Sequence, residues 1–257
     1  MPAPVLFTCA HILSGGYDFS TDFFELQVNY GSEAKDKTTF GQSFRVSQGG
    51  LKTATLAGKG YLNLNASQNE PVLWGRIGST SDEPVTVFRD GITVGSTQNS
   101  GYGMGAVQTQ FNAGTNVGSL LPFDVSFSPT QALVRSIPLD NALSTAWSTD
   151  TNNGTAWQLG HAATSEQLYA GFHVTRVSTG LAATISAIIQ AASSSGFATS
   201  NTRVTFAAQS TRKGLVATPI QPSALSTEQP FYRAVITVST GTSTGAQGEG
   251  LIWMGIQ

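Results

Sequence analysis

Along most of the chain apolar and polar residues alternate with a period of two, the pattern of strands with one face on a core and the other in water. In FFELQVNY, residues 23–30, Phe24, Leu26, Val28 and Tyr30 fall on one face, and Glu25, Gln27 and Asn29 on the other. LKTATLAGKGYLNLN, starting at Leu51, is again extended, its threonines and glycines suiting a twisted strand packed closely against a neighbour. PVTVFRDG, 84–91, predicts a strand closed by an Asp-Gly turn. Within the Gly-, Asn-, Ser- and Gln-rich stretch 95–119, Ala106, Gln108 and Gln110 alternate with Val107, Thr109 and Phe111, a strand in a flexible surround. LLPFDVSFS, 120–128, places Leu121, Phe123, Val125 and Phe127 on one face, and ALVRSIPL follows it. The N-terminal MPAPVLFTCAHILSGG reads as a first strand, because it lacks a positive flank and His11 interrupts its apolar run.

One segment breaks the pattern in the first half. Asn69-Glu70-Pro71 is a helix-start signal, with a capping Asn and an early Pro, ahead of VLWGRIG. After residue 139 comes DNALSTAWSTDTNNGTAWQLG, 140–160, turn-rich and read as a domain boundary. Strand candidates resume at 167–177, 183–191, 203–208, 231–239 and 250–256. ATISAIIQAASSS has a composition that a helix also tolerates, while its Thr and Ile content and its neighbours favour a strand. Short strands separated by Ser, Thr, Gly and Pro predict an all-β protein. The expected organisation is a β-barrel or sandwich with one short helix over 1–139, then a C-terminal β-sandwich over 140–257.

Residues 31–50 stand out. Structureless loops longer than ~12–15 residues are uncommon in compact domains. This one contains Phe40, Phe44 and Val46, which are costly to leave in water. Two placements fit: folding back on the same domain, or insertion into a neighbouring subunit as an arm that adds to another chain's sheet or groove.

Composition favours the second placement. Charged residues make up only 11% of the 257 residues, against roughly 25% in an average globular protein. A chain this poor in charge is expected to cover much of its surface with other subunits. The net charge is −2 and the longest basic run is Arg212-Lys213, which argues against tight binding to nucleic acid through phosphate neutralisation. Cys9 is the single cysteine, so no disulfide forms within these residues. No apolar run approaches the ~18 residues of a membrane helix, and a soluble chain without membrane contact is expected.

Candidate chemistry is sparse. GTSTG, 241–245, matches a nucleophile elbow, but no histidine follows Ser243 and no helix is expected after it. His11, His161 and His173 lack metal-ligand spacing. Gly101, Gly103 and Gly105 break the dinucleotide-binding spacing. Asp18, Asp22, Asp82 and Glu83 read as solvated turn residues rather than paired catalytic carboxylates. The sequence therefore predicts no enzyme, no cofactor and no metal. Trp147 and Trp157 are candidate exposed stacking platforms, the basis of an alternative reading as a carbohydrate-binding or adhesive β-sandwich, with packing between domains as the other placement.

Over roughly residues 12–138 the chain resembles the major tail, or tail tube, proteins of long-tailed bacteriophages. The resemblance is carried by Gly16-Tyr17-Asp18-Phe19-Ser20, by Leu26 to Tyr30 with Gly31-Ser32-Glu33-Ala34, by Thr38-Thr39-Phe40-Gly41-Gln42 and by Gly49-Gly50-Leu51-Lys52. Gln42 departs from the acidic residue often found after Phe-Gly in that family. The resemblance implies a virion protein assembled in the host cytoplasm into stacked rings, either hexamers or pseudo-hexameric trimers. DNA would pass down the lumen without specific binding, and tape-measure, terminator and tip proteins would be further partners. The inter-subunit arm would comprise Thr38, Thr39, Phe40, Gly41, Phe44, Arg45, Val46, Gly49, Gly50, Leu51 and Lys52. The second half would be an outer decoration domain or a diverged second tube domain.

Overall fold

The computed structural model describes residues 10–40, 43–65, 68–89, 92, 94, 101–114, 120–148, 150–159, 166–178, 183–220, 230–239 and 247–257. The chain is all-β, with antiparallel strands and one short helix among the described residues. No sheet closes into a barrel among them. Two compact units emerge. The first comprises Met1–Thr21, Ser81–Ala106 and Val134–Gln257, and the second Asp22–Thr80 and Val107–Leu133.

The first unit is a sandwich. One sheet contains β1 (Ala10–Ser14), β2 (Tyr17–Asp18), β5 (Glu83–Arg89), the start of β6 (Gly101–Ala113), β8 (Val134–Asn141), β11 (Leu168–Val177), β14 (Lys213–Val216) and β16 (Gly248–Ile256). Its order is β14-β11-β16-β8-β6-β5-β1-β2. The other sheet contains β9 (Asp150–Asn153), β10 (Trp157–Gln158), β12 (Thr184–Ala192), β13 (Ser200–Gln209) and β15 (Phe231–Ser239), with β15 between β12 and the short β9 and β10. Inward-facing residues of both sheets share one core: Leu168, Ala170, Phe172 and Val174 of β11 belong with Ile185, Ala187 and Ile189 of β12 and with Ala234, Ile236 and Val238 of β15. The segment Thr184–Ala192 is a strand rather than a helix, because all nine residues of β12 pair with β15 from Thr184↔Ser239 to Ala192↔Phe231 without a register shift.

This division differs from the tandem one read from the sequence. The boundary expected at 139/140 falls inside β8, whose Ile137–Asn141 pairs with Met254–Leu251 of β16. Hydrogen-bonding partners are chosen by matching faces, not by chain order, so the last strand completes a sheet that the first strand also joins.

Trp253 is buried among glycines. A Cβ on Gly103 would stand 2.8 Å, and one on Gly171 2.6 Å, from its indole ring, so both positions need glycine. A buried polar tie links three parts of the same unit. The carbonyl of Gly15 can only accept, so Nδ1 of His173 donates to it, and Nε2 accepts a hydrogen bond from the Thr86 hydroxyl at 2.8 Å.

The second unit holds β3 (Phe23–Asp36), β4 (Ser47–Tyr61), α1 (Asn69–Arg76), the rest of β6, and β7 (Pro122–Pro129). β4 lies between β3 and β7, and Leu56, Phe123, Val125 and Phe127 are buried. Phe123 meets Phe23 edge-on at 5.1 Å and stacks with Phe111 at 6.0 Å. The glycines of β4 make room for these rings, since a Cβ on Gly60 would lie 2.6 Å from Phe123 and 2.3 Å from the Asp22 carbonyl. Helix α1 begins where the sequence indicated, but Asn69 is its first residue rather than its cap; Gln68 occupies the cap and makes no side-chain capping bond. Buried Asn69 instead anchors the helix, its Oδ1 accepting from the Asn63 amide and its Nδ2 donating to the Tyr61 carbonyl, both at 2.9 Å. Gln108 Nε2 donates to the Leu73 carbonyl at 2.9 Å, satisfying one of the acceptors a helix end leaves open.

Candidate functional site: an exposed hairpin and its apolar tip

Both ends of the stretch 31–50, residues 31–36 and 47–50, are paired strands of a β-hairpin rather than parts of a loop. β3 continues to Asp36 and β4 starts at Ser47, paired from Phe23↔Gly60 to Asp36↔Ser47 with irregularities at Phe23/Glu25 and Ser32/Ala34. β7 supports β4 only over Leu56–Tyr61. Beyond that support, over 29–36 and 47–55, the two strands pair only with each other among the described residues. The ribbon is ~25 Å long at about 3.3 Å per residue. Its side chains are exposed on both faces apart from partial cover at Gly50, Ala54 and Thr55. Two-stranded ribbons of this kind are marginal in water without further packing.

Short polar contacts shape the tip. The Thr38 amide donates to Asp36 Oδ1 at 2.8 Å, the Val46 amide donates to Thr38 Oγ1 at 3.0 Å, and the Lys37 amide donates to the Val46 carbonyl at 2.9 Å. Arg45 pairs with Asp36 at 3.1 Å. The Thr38 side chain, then its amide, then Arg45 hold the Asp36 carboxyl below the ordinary carboxylate range. Thr38, Arg45 and Val46 therefore build the turn, while Phe40 and Phe44 are presented by it, 110% and 73% exposed. Leu51 is exposed on β4, and Gly49, Gly50 and Lys52 share the ribbon ladder with it. Thr39 is exposed beside Phe40; Gly41 lies outside the described residues. The phenylalanines do not fold back on their own unit.

The face expected to be buried on β3 is only partly so: Leu26 and Val28 are half-buried, whereas Phe24 and Tyr30 are exposed, Phe24 leaning on Tyr61 at 4.9 Å. Exposed large apolar residues are concentrated in this unit, with Leu64, Trp74, Ile77 and Leu120 joining those of the hairpin. Trp74 and Ile77 were not singled out from the sequence. The available signal was that Val72, Leu73 and Trp74 in the helix and Ile77 at its C-terminal cap are more apolar groups than so short an element can bury on one face, and of these only Leu73 is buried.

The two tryptophans read as exposed platforms are buried. Trp147 and Trp157 are 5% and 8% exposed and belong to the core of the first unit, so neither offers a face for sugar stacking. The backbone of Trp147 bridges to Gly248, its ring tilts against Phe172 at 6.1 Å, and its indole N–H donates to Asp140 Oδ1 at 3.1 Å. Burial pushes the Asp140 carboxyl up, more than the Trp147 bond pulls it down.

Other candidates resolve into structure. Asp18 accepts from the Ser20 amide at 3.0 Å and from its hydroxyl in a local turn. Gly101, like Gly103, gives room to a core ring, here Phe88 at 2.6 Å from the position of a Cβ. The GTSTG motif, His161 and Cys9 lie outside the described residues. Among the described residues no group of three or more His, Cys, Asp and Glu side chains is arranged to hold a metal, and no helix is long and apolar enough to cross a membrane.

No family model matches the sequence, and no curated protein matches it. Among solved structures, the chain is similar to a component of the virion of a native gene transfer agent particle, with TM-score 0.35 and 11% identity over 48% of this chain and 92% of that one. It is also similar to a component of the tail of an empty gene transfer agent particle refined with C6 symmetry, at 0.35 and 10% over the same shares. The Dit (gp 19.1) protein of SPP1, described as a hub adsorption apparatus in phages infecting Gram-positive hosts, aligns at 0.37 and 10% over 96% of this chain and 99% of that one.

Proposed function

We propose that the chain is a structural protein of a bacteriophage tail that assembles with copies of itself through the β3–β4 hairpin. The observation that carries the assembly role is the ribbon itself: solvated on both faces, lacking a third strand among the described residues beyond Leu56, and tipped by two exposed phenylalanines. Open strand edges and apolar tips are features that another chain can pair with and bury. The assignment to a phage tail rests on the sequence resemblance, whose Thr38-Thr39-Phe40 and Gly49-Gly50-Leu51-Lys52 elements flank the tip.

In this reading the chains form rings that stack into the tail tube of a virion, and DNA moves through the lumen during ejection. A chain of low charge suits that task, because a strongly basic lumen would retain the phosphates. The arm-bearing unit occurs once in the described chain, which favours six chains per ring with the other unit as decoration. The role is structural rather than enzymatic, and tape-measure, terminator and tip proteins are the partners it implies. The carbohydrate-binding reading has lost the two tryptophans on which it stood.

Deleting residues 38–48 tests the arm. The variant is expected to keep its strand content and thermal transition while losing concentration-dependent association in light scattering. Association at the normal level would remove the hairpin from the mechanism.

A further inference from the structure

The second unit also carries an open groove of about 530 Å³ lined by Trp74, Ile77, Thr109, Gln110, Phe111 and Asn112. Its walls are aromatic and aliphatic: Trp74 is 67% exposed and meets Phe111 edge-on at 6.0 Å, with Ile77 exposed next to them. The groove's polar groups are uncharged amides and one hydroxyl. Such a site suits an aromatic side chain, which gains both area burial and edge-to-face contacts. Large exposed tryptophans of this kind are the residues that dominate binding at protein interfaces.

We infer that this groove receives the hairpin tip of a second copy of the chain, with Phe40 and Phe44 seated against Trp74, Ile77 and Phe111. The inference rests on the proposed assembly through the arm and names its receiving surface. Two observations point to this occupant. The chain presents the donor and the acceptor open at the same time, so neither satisfies the other within one molecule. Their charges are also complementary. On the ribbon Lys35, Lys37, Arg45 and Lys52 outnumber Glu33 and Asp36, whereas on the rest of the unit Asp22, Glu25, Glu70 and Asp124 outnumber Lys59 and Arg76 by the same margin. A cationic arm is thus steered towards an acidic body bearing an apolar slot. Because donor and acceptor are different patches, the contact is heterologous and propagates from chain to chain until a ring closes or a filament grows.

The test uses two variants of the full chain, an arm variant (Phe40→Ser with Phe44→Ser) and a groove variant (Trp74→Ala with Ile77→Ser), followed by analytical ultracentrifugation. Each alone is expected to associate roughly thirtyfold or more weakly than the unaltered chain. An equimolar mixture should form one-to-one dimers and nothing larger, since it retains a single working arm–groove pair. Fluorescence gives a readout without any substitution. Trp147, Trp157 and Trp253 are buried and Trp74 is exposed, so association should blue-shift the emission through Trp74. A groove variant that assembles normally and an emission that does not move, with the arm variant still defective, would overturn this receiving site and leave the arm in place. Indifference of association to the arm variant, or no association of the unaltered chain up to about millimolar concentration, would overturn both.

Discussion

Asp36 sets the shape of the hairpin tip, since one carboxylate takes the Thr38 amide and the Arg45 guanidinium. Its folded value lies below the ordinary one, so the tip is supported above the ordinary carboxylate range and loses that support as pH falls through the lowered value. Protection of the Thr38 and Val46 amides, taken relative to their intrinsic exchange rates, should therefore hold near neutrality and fall as pH drops through the lowered Asp36 value. Asp36→Asn should bring the loss of protection to neutral pH while leaving the global unfolding transition essentially unchanged, as for other exposed positions. Asp140 has the opposite sign. Its folded value is raised by burial, so stability falls as pH rises from the ordinary carboxylate value to the raised one and is flat above it. Asp140→Asn keeps an acceptor for the Trp147 indole, and a denaturation series against pH should show that slope reduced. In the core, Gly103→Ala forces a methyl into the Trp253 ring and should cost about 1–3 kcal/mol in chemical denaturation.

At the scale of elements, the strands that were legible in the sequence are those with a real apolar face. Phe123, Val125 and Phe127 declare β7, and Ile185, Ala187 and Ile189 declare β12 once their neighbours are considered. The outer half of the hairpin was not legible, because Gly31–Asp36 buries nothing and so has no period; it is a strand only by pairing with β4. β9, with the sequence DTNN, is likewise held by its backbone ladder to β15. Phe40, Phe44 and the residues around them could be found because they interrupt a polar run, and the structure places them together at one tip. Trp147 and Trp157 could not be placed, since a tryptophan in a turn-rich segment looks the same whether it faces water or a core. An exposed ribbon also has a kinetic signature. Limited trypsin digestion of the dilute chain should cut first at Lys35, Lys37, Arg45 or Lys52, and concentrated, assembled protein should be protected at those sites. Cleavage at the same rate in both states would speak against burial of the ribbon on assembly.

At the scale of the molecule, the two units divide the work in different ways. The first devotes its apolar residues to a two-sheet core with rings locked against glycines. The second leaves a large share of its apolar residues in water, with a cationic ribbon and an acidic, grooved body. The proposed self-assembly would bury these exposed apolar residues, as interaction surfaces do. The complementary charges add a salt dependence: raising ionic strength from about 0.05 to about 0.5 M should weaken self-association, because exposed charges are screened over a shorter distance. Negative-stain electron microscopy across a concentration series tests the proposed polymerisation through the hairpin. Rings or hollow tubes with a lumen wide enough for duplex DNA are expected, and are expected to be absent from the variant lacking residues 38–48. Particles that remain single chains at every concentration, or rings that form equally well without the hairpin tip, would contradict it.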